Sequence, residues 1–138
     1  MTRRALTTLT LTALLVLAAS GSAAAATTVK AATSVAVEGL FAAGPYAVAG
    51  GSIDSGDARC LDSRRVAVKA IDKDGELIEF DVARTGKQGG WTAIHELTSI
   101  QSRAPLQAIK LKVGERRIQI SKSKTLVCKG KRLSVPLS

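Results

Sequence analysis

Acid–base or nucleophilic chemistry needs a proton acceptor held beside a reacting group. This sequence offers one imidazole, His95. It shares parity with Trp91 and Ala93, which reads as a histidine at a sheet face or edge, and no G-x-S-x-G motif accompanies it. The two thiols, Cys60 and Cys128, lack the Cys-x-x-Cys spacing of a redox pair. Two distant cysteines and one histidine also fall short of a metal site, which takes three or four ligands. Asp72-Lys73-Asp74-Gly75-Glu76 resembles the start of a calcium loop, but the twelfth position from Asp72 is Ala83 rather than a glutamate. The segment is expected to be a hairpin turn with solvated carboxylates, and Glu76, Glu79 and Asp81 would make at most a weak surface calcium site. Glu79 with Asp81, or Asp54 with Asp57, would serve a glycosidase only across a sugar cleft, and nothing in the sequence indicates one. No cofactor is called for, and the chain is expected not to be an enzyme.

Charge is the more informative pattern. The 138 residues carry 20 Lys and Arg against 11 Asp and Glu, a net charge of +9. Residues 54–81 hold eight acids and five bases, a balance of −3, whereas residues 103–138 hold ten bases and one acid, Glu115. Such a basic block keeps a surface soluble and discourages edge-to-edge pairing of strands. It also attracts polyanions. The candidate contact residues are Lys110, Lys112, Arg116, Arg117, Lys122, Lys124, Lys129, Lys131 and Arg132. With only four aromatic side chains in the chain, no stacking platform lies near these bases. Sequence-specific nucleic-acid recognition is therefore not expected.

The ends and the cysteines place the domain. Met1-Thr2-Arg3-Arg4, the apolar stretch 5–19 and the small residues up to Ala26 follow the order of a secretory signal peptide. The apolar part is about 15 residues, short of the ~20 that span a bilayer. Residues 1–26 are expected to be removed, leaving a secreted bacterial domain of the cell envelope or exterior with no transmembrane segment. In an oxidising compartment Cys60 and Cys128 have one possible pairing, a disulfide.

The elements that must position these residues read as strands. Residues 27–33 are small and polar and are expected to be a flexible lead-in to a single domain over 34–138. Gly50-Gly51 within a strand implies a bulge or a close backbone approach. Val66, Val68 and Ala70 alternate, as do Ile78, Phe80 and Val82, with a hairpin tip at Asp74-Gly75. Ile109, Leu111 and Val113 alternate with Lys110 and Lys112, and a tight turn at Gly114-Glu115 leads to Ile118 and Ile120. Leu133, Val135 and Leu137 alternate to the end. No long helical stripe is present, so the fold class is all-β.

A strand ending Gly-Ser-Ile (51–53), a Cys loop SGDARC (55–60), Arg-Arg-Val-Ala-Val (64–68), Gly90-Trp91, Ala-Ile-Lys (108–110) and the return KTLVCKGKRLSV (124–135) follow in order. This layout resembles the small secreted bacterial β-sandwiches related to carboxypeptidase regulatory and transthyretin-like domains. Leu106-Gln107 stands where those modules usually have an aromatic. The resemblance implies an Ig-like or transthyretin-like Greek-key sandwich of about seven strands with a cross-sheet disulfide. It implies no catalytic residues and a role in adhesion or binding. The expected function is a non-enzymatic binding or structural module that contacts an anionic cell-envelope polymer. The alternative is a secreted inhibitor or effector that presents the disulfide-pinned loop 54–62 to a protein partner.

Overall fold

The computed structural model describes residues 25–97 and 106–137. The expected signal peptide and the connection at 98–105 fall essentially outside the described residues. Ten strands run in chain order: β1 (Thr27–Ala31), β2 (Thr33–Ala43), β3 (Tyr46–Ser55), β4 (Arg65–Ile71), β5 (Leu77–Arg84), β6 (Gly90–Glu96), β7 (Ala108–Val113), β8 (Arg116–Ser121), β9 (Lys124–Cys128) and β10 (Lys131–Pro136). One 3-10 turn, Ala58–Cys60, is capped by the Asp57 side chain. The all-β expectation holds, with more strands than the seven expected.

Seven of these strands enclose the larger core. They form a four-stranded sheet in the order β10-β7-β4-β5 and a three-stranded sheet in the order β2-β3-β6. Alternation dictates which faces meet. Val66, Val68 and Ala70 of β4 and Ile109, Leu111 and Val113 of β7 are buried, and they share one cluster with Ala49 and Ile53 of β3 and Trp91 and Ala93 of β6. The Asp81 carboxylate of β5 accepts from the Ile94 N–H of β6 at 3.0 Å, stitching the two sheets along one edge. At the opposite edge β10 lies beside β2.

The remaining strands make a third sheet, β1-β9-β8, over a small second core of Ala31, Leu126 and the two cysteines, with Ile118 and Ile120 packed on it. The expected lead-in at 27–33 is thus corrected. Residues 27–31 pair in parallel with β9, and after Ala32 alone the chain enters β2 in a different sheet. Propensity and alternation hide this strand, since only its last residue is buried. The tight turn at Gly114-Glu115 is present and joins two sheets. β7 pairs with β4 and β10 while β8 pairs with β9, so these two residues carry the chain from one sheet to another.

Cys60 and Cys128 form the disulfide. The bridge fastens the 3-10 turn to β9 and so joins the third sheet to the segment entering β4. This differs from a link between the two faces of the sandwich. Gly50-Gly51 marks a close approach, as expected. A Cβ on Gly51 would run into the Ala36 carbonyl and come within 2.9 Å of the Trp91 ring, and the β2 register shifts opposite it, between Val37 and Gly39. The β4–β5 hairpin turns at Gly75, whose φ of 81° suits a glycine.

Where the three sheets meet sits Arg64, only 1% exposed. Its guanidinium donates to the carbonyls of Gly114 (2.8 Å), Lys129 (2.9 Å) and Cys60 (2.9 Å), and to Thr33 Oγ1 (3.2 Å). Its backbone N–H donates to Thr85 Oγ1 at 2.8 Å. No carboxylate is among these partners. Burial, with the Arg116 charge adding to it, pulls the guanidinium pKa below its ordinary value.

Candidate functional site: a cationic sheet face

The strand alternation that buries Val66, Val68, Ile109 and Leu111 turns Arg65, Lys69, Lys110 and Lys112 outward. The register then sets these bases side by side. Arg65 faces Arg84 across β4 and β5, Lys69 faces Lys110 across β4 and β7, and Lys112 faces Arg132 across β7 and β10. Directly opposed residues have Cβ atoms about 5 Å apart, and successive outward residues on a strand are about 6.8 Å apart. Six bases therefore cover one side of a four-stranded sheet. The acid on this face is Glu79, whose carboxylate lies 3.1 Å from Lys69 Nζ with both groups largely exposed.

Like charges directly opposed on a sheet are destabilising, by roughly 0.2–1 kcal/mol per pair. Glu79 offsets part of this at Lys69, and what remains of the three pairs works against folding and favours an anion that neutralises them. A groove of about 520 Å³ runs along this face, lined by Lys69, Lys110, Lys112 and Arg132 with Leu77, Leu133 and Ser134 among its other walls.

Of the nine candidate bases, Lys110, Lys112 and Arg132 lie on the face. Lys131 adjoins them, and the other five do not join them. Arg116 donates to the Asp62 carbonyl at 2.5 Å. Arg117 and Lys129 flank Glu115, at 3.3 and 3.7 Å. Lys131, at the start of β10, shares a smaller depression with Lys112 and Arg132 beside Gly114 and Gly130. Lys122 and Lys124 sit at the tip of the β8–β9 hairpin. Arg65, Lys69 and Arg84 complete the face, and a tally of charge by segment misses them because they lie in or beside the mildly acidic stretch. Their signal was parity: Arg65 and Lys69 alternate out of phase with the buried Val66, Val68 and Ala70.

The remaining chemical candidates have structural partners. The Asp72 carboxylate accepts from the N–H groups of Asp74 and Glu76, both at 2.9 Å, and so closes the hairpin turn. Asp54 accepts from the Ser55 N–H at 2.8 Å. Asp57 caps the 3-10 turn through the Arg59 N–H (3.0 Å) and pairs with the Arg59 guanidinium (2.7 Å), which holds its pKa down at about 2. His95 Nδ1 lies 3.1 Å from the Phe80 carbonyl, with its ring tilted on the Phe80 ring at 5.3 Å. Among the described residues no three His, Cys, Asp or Glu side chains gather as a metal site. No helix of the described residues is long and apolar enough to cross a membrane.

Comparison with protein-family models, curated proteins and solved structures finds no match for this chain.

Proposed function

We propose that the protein is an exported, non-enzymatic β-sandwich that holds an anionic polymer of the bacterial cell envelope against the outer face of the β10-β7-β4-β5 sheet. One observation carries this reading: three cross-strand pairs of like charge stand on a single face beside a groove. The resemblance to carboxypeptidase regulatory and transthyretin-like modules supports a binding role. The bases act as contacts for phosphate or carboxylate groups without reading a sequence, so affinity is dominated by ion release and falls steeply with salt.

The test is co-sedimentation with purified cell envelopes across a salt series. Replacing Lys110, Lys112 and Arg132 together by serine is expected to weaken binding and to flatten the salt dependence by about two to three units of slope. Replacing Lys122 and Lys124 by serine is expected to change little beyond a general charge effect. Binding that ignores salt, or that depends equally on both sets, would sink the proposal.

A further inference from the structure

The opposite face of the molecule carries a second depression with different chemistry. On the outer side of the β2-β3-β6 sheet, Phe41, Val48 and Ile94 stand directly opposite one another and form an apolar row. Phe41 is 60% exposed. In the adjoining row Gly39 faces Gly50, and Gly50 faces Thr92. Two side chains are thus missing side by side, and a Cβ on Gly39 would meet nothing within 4 Å. Beyond the glycines the β2 register shift presents Glu38, whose Oε1 accepts from the Ser52 hydroxyl at 2.8 Å. Arg84 of the neighbouring β5, a member of the cationic face, also lines the resulting notch, an open volume of about 760 Å³. Trp91 also lines it, and its indole Nε1 is buried without a hydrogen-bond partner among the described residues.

We propose that this notch binds a neutral saccharide. The ligand class follows from the walls. Glu38 and Arg84 offset one another, so the rim carries no net charge to select an ion and suits an uncharged occupant. Phe41 and Val48 offer an exposed apolar surface, and the glycines let a rigid ring lie close to the backbone. Glu38, Thr92 and Arg84 place an acceptor, a hydroxyl and a donor fork around the rim. A pyranose ring matches this set, with an apolar C–H face for the aromatic and hydroxyl groups around its edge for the polar rim. From Val48 to Ser52 is four residues of strand, about 13.6 Å, which admits one to two sugar rings. The proposal concerns a different sheet from the cationic face, with which it shares Arg84 alone, and it does not rest on polymer binding there.

The experiment is titration of the isotopically labelled full-length mature chain with chitohexaose, cellohexaose and maltohexaose, followed by backbone amide NMR shifts. At least one oligosaccharide is expected to move the Gly39, Gly50 and Thr92 signals, with little effect on Lys110 and Lys112. Phe41→Ala is expected to weaken that binding about tenfold. Gly39→Leu, at an open position with ordinary backbone, is expected to fill the notch and abolish it. Absence of shifts with all three sugars, shifts that map elsewhere, or unchanged binding in both variants overturns the proposal. Since both substitutions are at exposed positions, each variant's amide spectrum also reports whether the fold is intact.

Discussion

Arg64→Met tests the claim that one buried guanidinium holds the three sheets together. Methionine fills similar space and removes the charge, but it leaves the carbonyls of Gly114, Lys129 and Cys60 without the donor they have in the native protein. An orphaned buried acceptor costs about 1–3 kcal/mol. The Cys60 bond is buried and the Gly114 and Lys129 bonds are partly so, which makes about 3–9 kcal/mol a ceiling that the three acceptors do not reach. Relief from desolvating a cation without a carboxylate partner offsets part of this, which places the expected loss at about 3–5 kcal/mol. A domain of this size has roughly 5–15 kcal/mol in total. Trp91 is the single tryptophan and is 4% exposed, so its fluorescence reports urea unfolding without a label. Arg64→Lys is expected to lose most of the same stability, because an ammonium cannot span carbonyls on separate connections as a planar fork does. A loss below about 1 kcal/mol for Arg64→Met, with an unchanged slope in urea, would refute the reasoning.

Replacing Cys60 and Cys128 by alanine is expected to cost about 4 kcal/mol in the chain-entropy model for a loop closed over 68 residues, measured by the same unfolding. The Cys60 carbonyl is also an Arg64 acceptor, so the two losses are expected to fall short of additive in a double-mutant cycle. Asp57 has a folded pKa of about 2 against 3.8 for the free group. Its contribution is present above pH 3.8 and is lost as the pH falls through 2. Asp57→Asn is expected to flatten the stability profile in that window, and a carboxyl carbon titrating near 3.8 in the native protein by NMR would refute the assignment. Lys112→Ser removes the repulsion with Arg132 and is expected to raise stability by about 0.2–1 kcal/mol at low salt while weakening envelope binding. A loss of stability would show that the cationic face is not under electrostatic strain.

Burial on one face made much of the sandwich readable. β4, β7 and β10 alternate because one side of each meets the core, and the Asp74-Gly75 turn and the disulfide follow from turn chemistry and from having two cysteines. β1 was not readable, because an edge strand held by backbone pairing needs no apolar pattern of its own. The jump at Gly114-Glu115 was hidden for a different reason: a turn between two alternating strands looks the same whether they pair with each other or with others. Arg64 drew no reading of its own in the sequence, although it shares parity with Val66, Val68 and Ala70 and so belongs to the inward face. The site was legible in sign but not in place. Lys110, Lys112 and Arg132 were visible in the basic third, whereas their companions Arg65, Lys69 and Arg84 required the register, which is set by pairing between distant strands.

The parallel pairing of β1 with β9 fixes when the chain can fold. Its first strand finds its neighbour only once residues 124–128 are available, and Arg64 waits for the carbonyls of Gly114 and Lys129. A chain emerging from a ribosome can pair the β2–β3 and β4–β5 hairpins early, but its β1-β9-β8 sheet stays open until residue 128 is out. Contacts this distant in sequence slow folding. They make docking of β1 on β9, and of the Arg64 guanidinium on its carbonyls, the late step that joins the third sheet to the sandwich.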